Sequence, residues 1–175
     1  YVIAISNLGE ILKLSGNLKE AEKYMRKAIA IEPGYAISHY NLGCILRDLG
    51  NLKEAEICLR KAIKLKPNFL DAHYNLGGLL SIIGNLKEAG RYILNTIKLN
   101  PDFARGYYYL SHLEYTVEKK VWQDNLFSEK ILKNKSRTDQ VDILFARANV
   151  LHKRKNYNES AKFLKLANDL KLVLK

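Results

Sequence analysis

The chain has 175 residues, 47% hydrophobic and 27% charged, with 29 Lys+Arg against 18 Asp+Glu for a formal net charge of +11. That balance excludes a disordered tail, a collagen and a polytopic membrane protein, because charged or polar residues interrupt every apolar run short of the roughly 18 to 20 residues that span a bilayer. Two cysteines, Cys44 and Cys58, with no CxxC and no nearby Cys/His set, exclude a disulfide scaffold and a zinc site and fit a reducing, cytoplasmic compartment.

In chain order the first element is a helix pair at residues 2–35, and it sets a pattern that returns. The string GNLKEA stands at 16–21, 50–55 and 84–89, and Pro33, Pro67 and Pro101 keep the same 34-residue interval. Leu8, Leu42 and Leu76, then Gly9, Gly43 and Gly77, then Leu12, Leu46 and Leu80, recur in register as expected core and packing positions. A second unit therefore occupies 36–69 and a third 70–103. In the second, the stripe Ile37, Leu42, Ile45, Leu46 and Leu49 predicts a helix that Gly50 ends. Asn51 then opens a stripe through Leu52, Ala55, Leu59, Ala62, Ile63 and Leu65, which Pro67 stops. Gly43 and Ala55 leave room for the two backbones to approach.

Residues 104–134 read as a degenerate fourth unit, with a first helix over 104–116 and a second from about Trp122 to Lys133; EKKVWQ at 118–123 replaces the regular turn. NKSRTD at 134–139 predicts a loop. Helices over 141–155 and 157–174 then form a divergent C-terminal pair, 138–174, with Ser160 where the earlier turns have alanine. The aromatic residues Phe103, Tyr107, Tyr108, Tyr109, Tyr115, Trp122 and Phe127 form the densest such cluster and are expected to seal the junction between the regular array and this C-terminal pair, with Tyr108, in the groove row, the exception.

A 34-residue helix-turn-helix unit with a small residue in its first helix, Gly at the turn, Ala in its second helix and Pro at its end resembles the tetratricopeptide repeat. The resemblance implies an all-α, helix-turn-helix solenoid wound as a right-handed superhelix, with first helices lining a concave groove. The stretches YNLGCILRDLGNLKEAEICLRKAIKLKP and YNLGGLLSIIGNLKEA are similar to the repeats of O-linked N-acetylglucosamine transferases. TDQVDILFARANVLHKRKNYNESAKFLKLAND resembles the linker repeat of bacterial, notably cyanobacterial, repeat-sulfotransferase proteins.

The side of each first helix that the core does not use is the candidate groove. One row there is Asn7, Asn41 and Asn75; a neighbouring row is Ser6, Tyr40, Tyr74 and Tyr108; a third includes Lys13, Arg47 and Ser81. A carboxamide offers a donor and an acceptor, so an asparagine ladder can pair with an extended peptide backbone whatever its sequence, while tyrosines add rigid apolar area with a polar tip. The resemblance to the transferase repeats implies the same use of Asn7, Asn41 and Asn75. The alternative is that the asparagines bond a neighbouring helix or their own backbone and the tyrosines pack between repeats. The expected peptide-binding set is Asn7, Asn41, Asn75, Tyr40, Tyr74, Tyr108, Arg47 and Arg105. Asp71 and Asn75 stand where a clamp for chaperone C-terminal carboxylates needs cations, so that ligand is not expected.

Nothing points to catalysis. The glycines form no phosphate-cradling loop, no acid pair stands out, and no base flanks Cys44 on its expected groove side. His39 and His73 are expected to serve repeat packing, since neither has a ligand partner at i+4. No cofactor or metal is expected. Residues 1–129 carry a net +3 and residues 130–175 a net +8, from 12 Lys+Arg and 4 Asp+Glu. Without a base-reading signature nucleic acid is not an expected partner; the expectation is a solvated face or a basic surface that meets an acidic partner, a second domain or an anionic sulfate or phosphate donor.

Phe163, Leu164, Leu166, Leu170, Leu172, Val173 and Leu174 offer more apolar surface than one preceding helix covers, and Val2, Ile3 and Ile5 lack a preceding repeat. Both ends, the first at Tyr1 without an initiator Met, are expected to continue into a longer protein or to be protected by self-association. The function expected is a protein–protein interaction module that binds an extended segment in its groove; the alternative is a substrate-presenting or oligomerising arm of a larger transferase.

Overall fold

The structure, a computed structural model, describes residues 1–113 and 119–172, with the side chains of 119 and 120 excepted. Among these residues the chain forms ten α-helices and no strand. It divides into two compact units, Tyr1–Asn85 and Leu86–Lys175. The expected helix through Thr116, and Tyr115, Glu118, Val173 and Leu174, fall partly or wholly outside the described residues.

The first unit contains α1 (Val2–Leu14), α2 (Leu18–Ile31), α3 (Ala36–Asp48), α4 (Leu52–Leu65) and α5 (Leu70–Ile82). Each GNLKEA string makes one turn in one way. Gly16, Gly50 and Gly84 take φ of 80°, 83° and 85°, left-handed values that glycine adopts without steric penalty. The amides of Asn17 and Asn51 then reach back to the carbonyls of Leu12 and Leu46 at 2.8 Å, closing α1 and α3 with the Gly-based six-to-one bond. Gly43 has the other reason to be glycine. A Cβ there would stand 2.8 Å from Leu59 Cγ and 3.2 Å from the Ala55 carbonyl, so α3 and α4 touch through it.

The repeat's end is fixed by a bond that the histidines supply. Each Pro33 and Pro67 carbonyl, freed where a helix has stopped, accepts from the Nε2 of the histidine six residues on, His39 at 2.9 Å and His73 at 2.8 Å. Two core expectations need correction. Val2 and Ile5 are buried, packed with Ala28, Tyr24 and Tyr35 of their own pair. Leu8, placed in the core by its register with Leu42 and Leu76, is exposed, because its side of α1 faces no second helix.

The second unit contains α6 (Leu86–Leu99), α7 (Ala104–His112), α8 (Lys119–Phe127), a 3-10 turn at Glu129–Leu132, α9 (Arg137–Lys153) and α10 (Tyr157–Leu172). The helix expected over 122–133 therefore stops at Phe127. Its last carbonyls are held from outside: the buried Arg147 of α9 donates from Nε to Leu126 O at 2.9 Å and from Nη2 to Ser128 O at 3.0 Å. Its guanidinium carbon lies 5.8 Å from the Phe127 ring centre and 5.4 Å from that of Phe163, so the cation is desolvated between aromatic faces. Burial pulls the Arg147 pKa down.

The loop expected at 134–139 ends earlier, at Ser136. Ser136 Oγ accepts from the Asp139 amide at 3.1 Å and donates to the Asp139 carboxylate at 2.7 Å, a cap that starts α9 at Arg137. At the far end of α9, Lys155 takes the glycine's place with φ of 62°, and Asn156 N reaches Leu151 O at 2.9 Å in the same closing bond. Ser160 compensates for not being alanine by donating to Ala148 O at 2.8 Å. In the aromatic cluster Tyr107 and Trp122 are buried, and Tyr108, the expected exception, is exposed. No helix among the described residues is long and apolar enough to cross a membrane.

Candidate functional site

In the first unit α1, α3 and α5 lie side by side. They carry six of the eight residues expected to bind a peptide. Asn7 is exposed on α1, Asn41 is buried on α3, and Asn75 is half-buried on α5. The three equivalent asparagines thus sit in three environments.

Asn75 has the most elaborate one. Its Nδ2 donates to Tyr40 Oη at 3.2 Å and to the Asp71 carbonyl, one turn back on α5, at 2.9 Å. Its Oδ1 accepts from Arg47 Nη1 at 2.8 Å. Both amide protons are therefore engaged, and the carbonyl oxygen keeps one lone pair open. The bonds are of the kind in the alternative sequence reading, to a neighbouring helix and to the backbone of the residue's own helix. Tyr40 and Arg47 come from α3, so this amide ties two repeats together. Arg47 also donates from Nε and Nη2 to Asp48 Oδ1 at 3.1 and 2.9 Å.

Tyr40 is held on its other face by Phe69, ring centres 4.8 Å apart, and Lys66 Nζ lies 4.9 Å from the Phe69 ring centre. Burial pushes the Tyr40 hydroxyl well above the usual phenol range, and the neighbouring Cys44 adds to the effect. Cys44, expected on the groove side, is buried against Tyr40. Desolvation raises its pKa, while Lys13 and Arg47 on either side pull it back. The thiol is thus held protonated and shielded from solvent, the opposite of what a nucleophile needs. Ser6, in the tyrosine row, is buried and shares a 2.9 Å hydrogen bond with Ser38, joining α1 to α3.

The remaining two candidates lie in the second unit. Tyr108 on α7 stacks edge-on against His112, centres 4.4 Å apart, and faces Phe145 of α9 at 6.4 Å. Arg105, on the same helix, is exposed. Burial raises the Asp142 pKa and the charge of Arg105 offsets part of that rise. The asparagine row does not continue here: the position after Tyr108 is Tyr109, and the one after Phe145 is Ala146. A separate cavity of about 250 Å³ is lined by Pro101, Asp102, Tyr107, Asn125, Ser128, Lys130 and Ile131, with Asp102 paired to Lys135 at 2.7 Å.

Sequence reasoning missed Phe69 and Lys66, which back the Tyr40 ring, and noted Asp71 only for its charge and not for the carbonyl that Asn75 bonds. The signal for Phe69 was present. Tyr35, Phe69 and Phe103 stand two residues after each proline, a fourth row at the same 34-residue interval.

Family models for the tetratricopeptide repeat match residues 1–68 and 58–91. No curated protein matches the sequence. Similar solved structures include a MamA fragment, 41 to the end, from Desulfovibrio magneticus RS-1. It is 20% identical with a TM-score of 0.73, over 98% of this chain and 96% of that one. YrrB, described as a TPR protein with an unusual peptide-binding site, is 17% identical with a TM-score of 0.68, over 97% and 86% of the two chains. A Thermobaculum terrenum O-GlcNAc transferase mutant is 20% identical with a TM-score of 0.62. The match covers 87% of this chain but 26% of the transferase. At these identities the likeness is one of fold.

Proposed function

The chain belongs to the tetratricopeptide repeat family, and from that premise we propose that the face built by α1, α3 and α5 binds an extended peptide or protein segment. The observation that carries the reading is the joint placement of Asn7, Asn41 and Asn75 with Tyr40, Tyr74 and Arg47 on three adjacent helices of one unit. YrrB, of the same fold, is described with a peptide-binding site.

The asparagines then have different tasks. Asn7 and Asn41 pair with the ligand backbone. Asn75 gives up its 3.2 Å bond to Tyr40 Oη, the longer of its two donations, and offers that proton to a ligand carbonyl while Arg47 keeps its orientation. Tyr40 Oη is freed by the same exchange. Tyr74, Tyr108, Arg47 and Arg105 select side chains. The chemistry is binding alone, with no catalytic, metal or cofactor role for these residues. The two buried free thiols fit a reducing, cytoplasmic setting.

The test is the pair Asn41→Ala and Asn75→Ala, measured by calorimetric titration against a peptide captured from an extended-peptide display library. At least about a tenfold loss of affinity is expected, the scale of one or two hydrogen bonds to buried groups. Thermal melts establish that the variants stay folded. Unchanged affinity in a folded variant would remove the asparagines from the site.

A second reading has its own observation. Leu8 and Ile11 on α1 and Leu164 and Leu166 on α10 are exposed, which gives the chain a route to self-association through its end helices.

A further inference from the structure

The cavity of about 250 Å³ in the second unit lies where that unit departs from the regular repeat. α8 has 9 residues where α4 has 14, and the chain leaves it through Ser128 into the 3-10 turn at Glu129–Leu132. Asn125 near the end of α8, with Ser128, Lys130 and Ile131 beyond it, lines the cavity together with Pro101, Asp102 and Tyr107. Some of the polar groups there are already engaged. Tyr107 gives its hydroxyl proton to Pro101 O at 2.9 Å. The Asp102 carboxylate is paired with Lys135 at 2.7 Å, and the same ammonium donates to the Asp102 carbonyl at 3.1 Å. Others are open. Ser128 stands at the start of the 3-10 turn, yet its hydroxyl caps no amide. The Lys130 side chain makes no hydrogen bond or ion pair among the described residues. Asn125 turns its carboxamide to the Tyr107 hydroxyl and keeps a second amide proton.

The open groups are thus an ammonium, a hydroxyl and an amide N–H, all of them donors. Because Lys135 neutralises Asp102, the charge of Lys130 is left in excess. The surrounding stretch 129–137 sets four cations, Lys130, Lys133, Lys135 and Arg137, against one acid, Glu129, so the ligand that complements the cavity is an anion. No arginine is among the lining residues, so the flat two-point fork that suits a carboxylate is missing, whereas a lysine serves phosphate as a point charge. We propose that this cavity binds a small phosphate-bearing molecule through Lys130, Ser128 and Asn125, at a site separate from the peptide face of α1, α3 and α5. Its size limits the ligand. At about 30 Å³ for each water of liquid, the volume equals roughly eight waters, which holds a phosphate with a short carbon skeleton and excludes a nucleotide.

The test is a titration of the full chain with inorganic phosphate at constant ionic strength, followed by amide NMR. Saturable shifts are expected at Asp102, Tyr107 and residues 125–131. Lys130→Gln should weaken binding at least about tenfold and Ser128→Ala about threefold, the scales of one charged and one neutral hydrogen bond. Lys133→Gln makes the same change of charge outside the lining and should leave the affinity within about twofold of the parent. Methyl phosphate should bind at least as tightly as inorganic phosphate, and acetate at least about tenfold more weakly. Lys130 is exposed, so folding should persist in thermal melts; Lys130→Met takes the place of Lys130→Gln if that variant fails to fold. Shifts that never saturate, or equal losses from Lys130→Gln and Lys133→Gln, reduce the effect to diffuse surface charge and overturn the site. Acetate that binds as tightly as phosphate, or methyl phosphate that stays out where inorganic phosphate enters, overturns the phosphate-bearing ligand.

Discussion

The first unit solves each structural problem the same way every time, whereas the second, beyond the regular helix α6 with its Ala89, solves the same problems with different residues. A left-handed turn is made by Gly16 and Gly50 in one and by Lys155 in the other. The proline carbonyl is taken by His39 and His73 in one, and by Tyr107, which donates to Pro101 O at 2.9 Å, in the other. The small packing residue after the turn is Ala21 or Ala55 in one and Ser160 in the other. A 14-residue second helix such as α4 is replaced by the 9-residue α8, whose end Arg147 holds. What a repeat keeps is thus the unmet demand of the backbone at each position, and the residue that meets it can change.

The sharpest way to break this comparison is at Arg147, which has no counterpart in the first unit, where Leu42 fills the matching slot between its packing neighbours. Arg147→Ala removes two charge-assisted hydrogen bonds and leaves the Leu126 and Ser128 carbonyls short of donors. A loss of about 3 kcal/mol is expected, read from the midpoint of urea unfolding. A loss below about 1 kcal/mol would mean that water or the aromatic faces satisfy the end of α8 unaided.

Gly43→Ala probes the regular unit. The added methyl meets Leu59, which can rotate, and the Ala55 carbonyl at 3.2 Å, which cannot. Forcing α3 from α4 is expected to destabilise by about 2 kcal/mol. The same measurement checks it, and a neutral result would show that the α3–α4 contact is looser than its geometry.

Most of the fold was legible in the sequence because repetition averages over local ambiguity. One apolar stripe is a weak signal, but the third copy of Gly-Asn-Leu-Lys-Glu-Ala in register leaves a single placement for turn, helix end and core. Residues 104–172 occur once, so their signals were read singly. The end of α8 is set by an arginine 20 residues further on, which no window around Phe127 contains. The start of α9 was written locally, as Ser136 and Asp139 three residues apart, inside a stretch whose polar composition also reads as loop. At the candidate site, position was legible and environment was not. The period places Asn7, Asn41 and Asn75 on equivalent spots, but burial depends on neighbours: α1 is uncovered where α3 is not, and Asn75 meets Tyr40 only because Phe69 holds that ring.

Tyr107 offers a smaller test, with a pH dependence. Its hydroxyl donates to Pro101 O, and burial pushes its pKa from 10.0 to about 12. A phenol that ionises less readily folded than unfolded binds its proton more tightly in the folded state, so its contribution is complete below pH 10. It is lost as pH rises from about 10 to about 12. Tyr107→Phe should cost about 1 kcal/mol at neutral pH and flatten the alkaline decline of stability, followed by urea unfolding across that range. His73→Phe should cost a similar amount in the same measurement at neutral pH, because it removes the equivalent bond to the Pro67 carbonyl.

The smallest effect should be a gain. Lys155 sits at φ of 62°, where its Cβ crowds the backbone, at the position that Gly16, Gly50 and Gly84 occupy without that penalty. Lys155→Gly relieves the crowding but adds freedom to the unfolded chain, and the two opposing effects leave a net stabilisation of about 0.5 to 1 kcal/mol. The substitution also removes one of three successive cations, Lys153, Arg154 and Lys155, whose mutual repulsion contributes in the same direction. Lys155→Ala separates the causes, since it removes the charge and keeps the Cβ. A rise in the unfolding midpoint for glycine with none for alanine assigns the gain to backbone geometry. Equal rises would assign it to charge, and the turn after α9 would then differ from the glycine turns in its electrostatics and not in its strain.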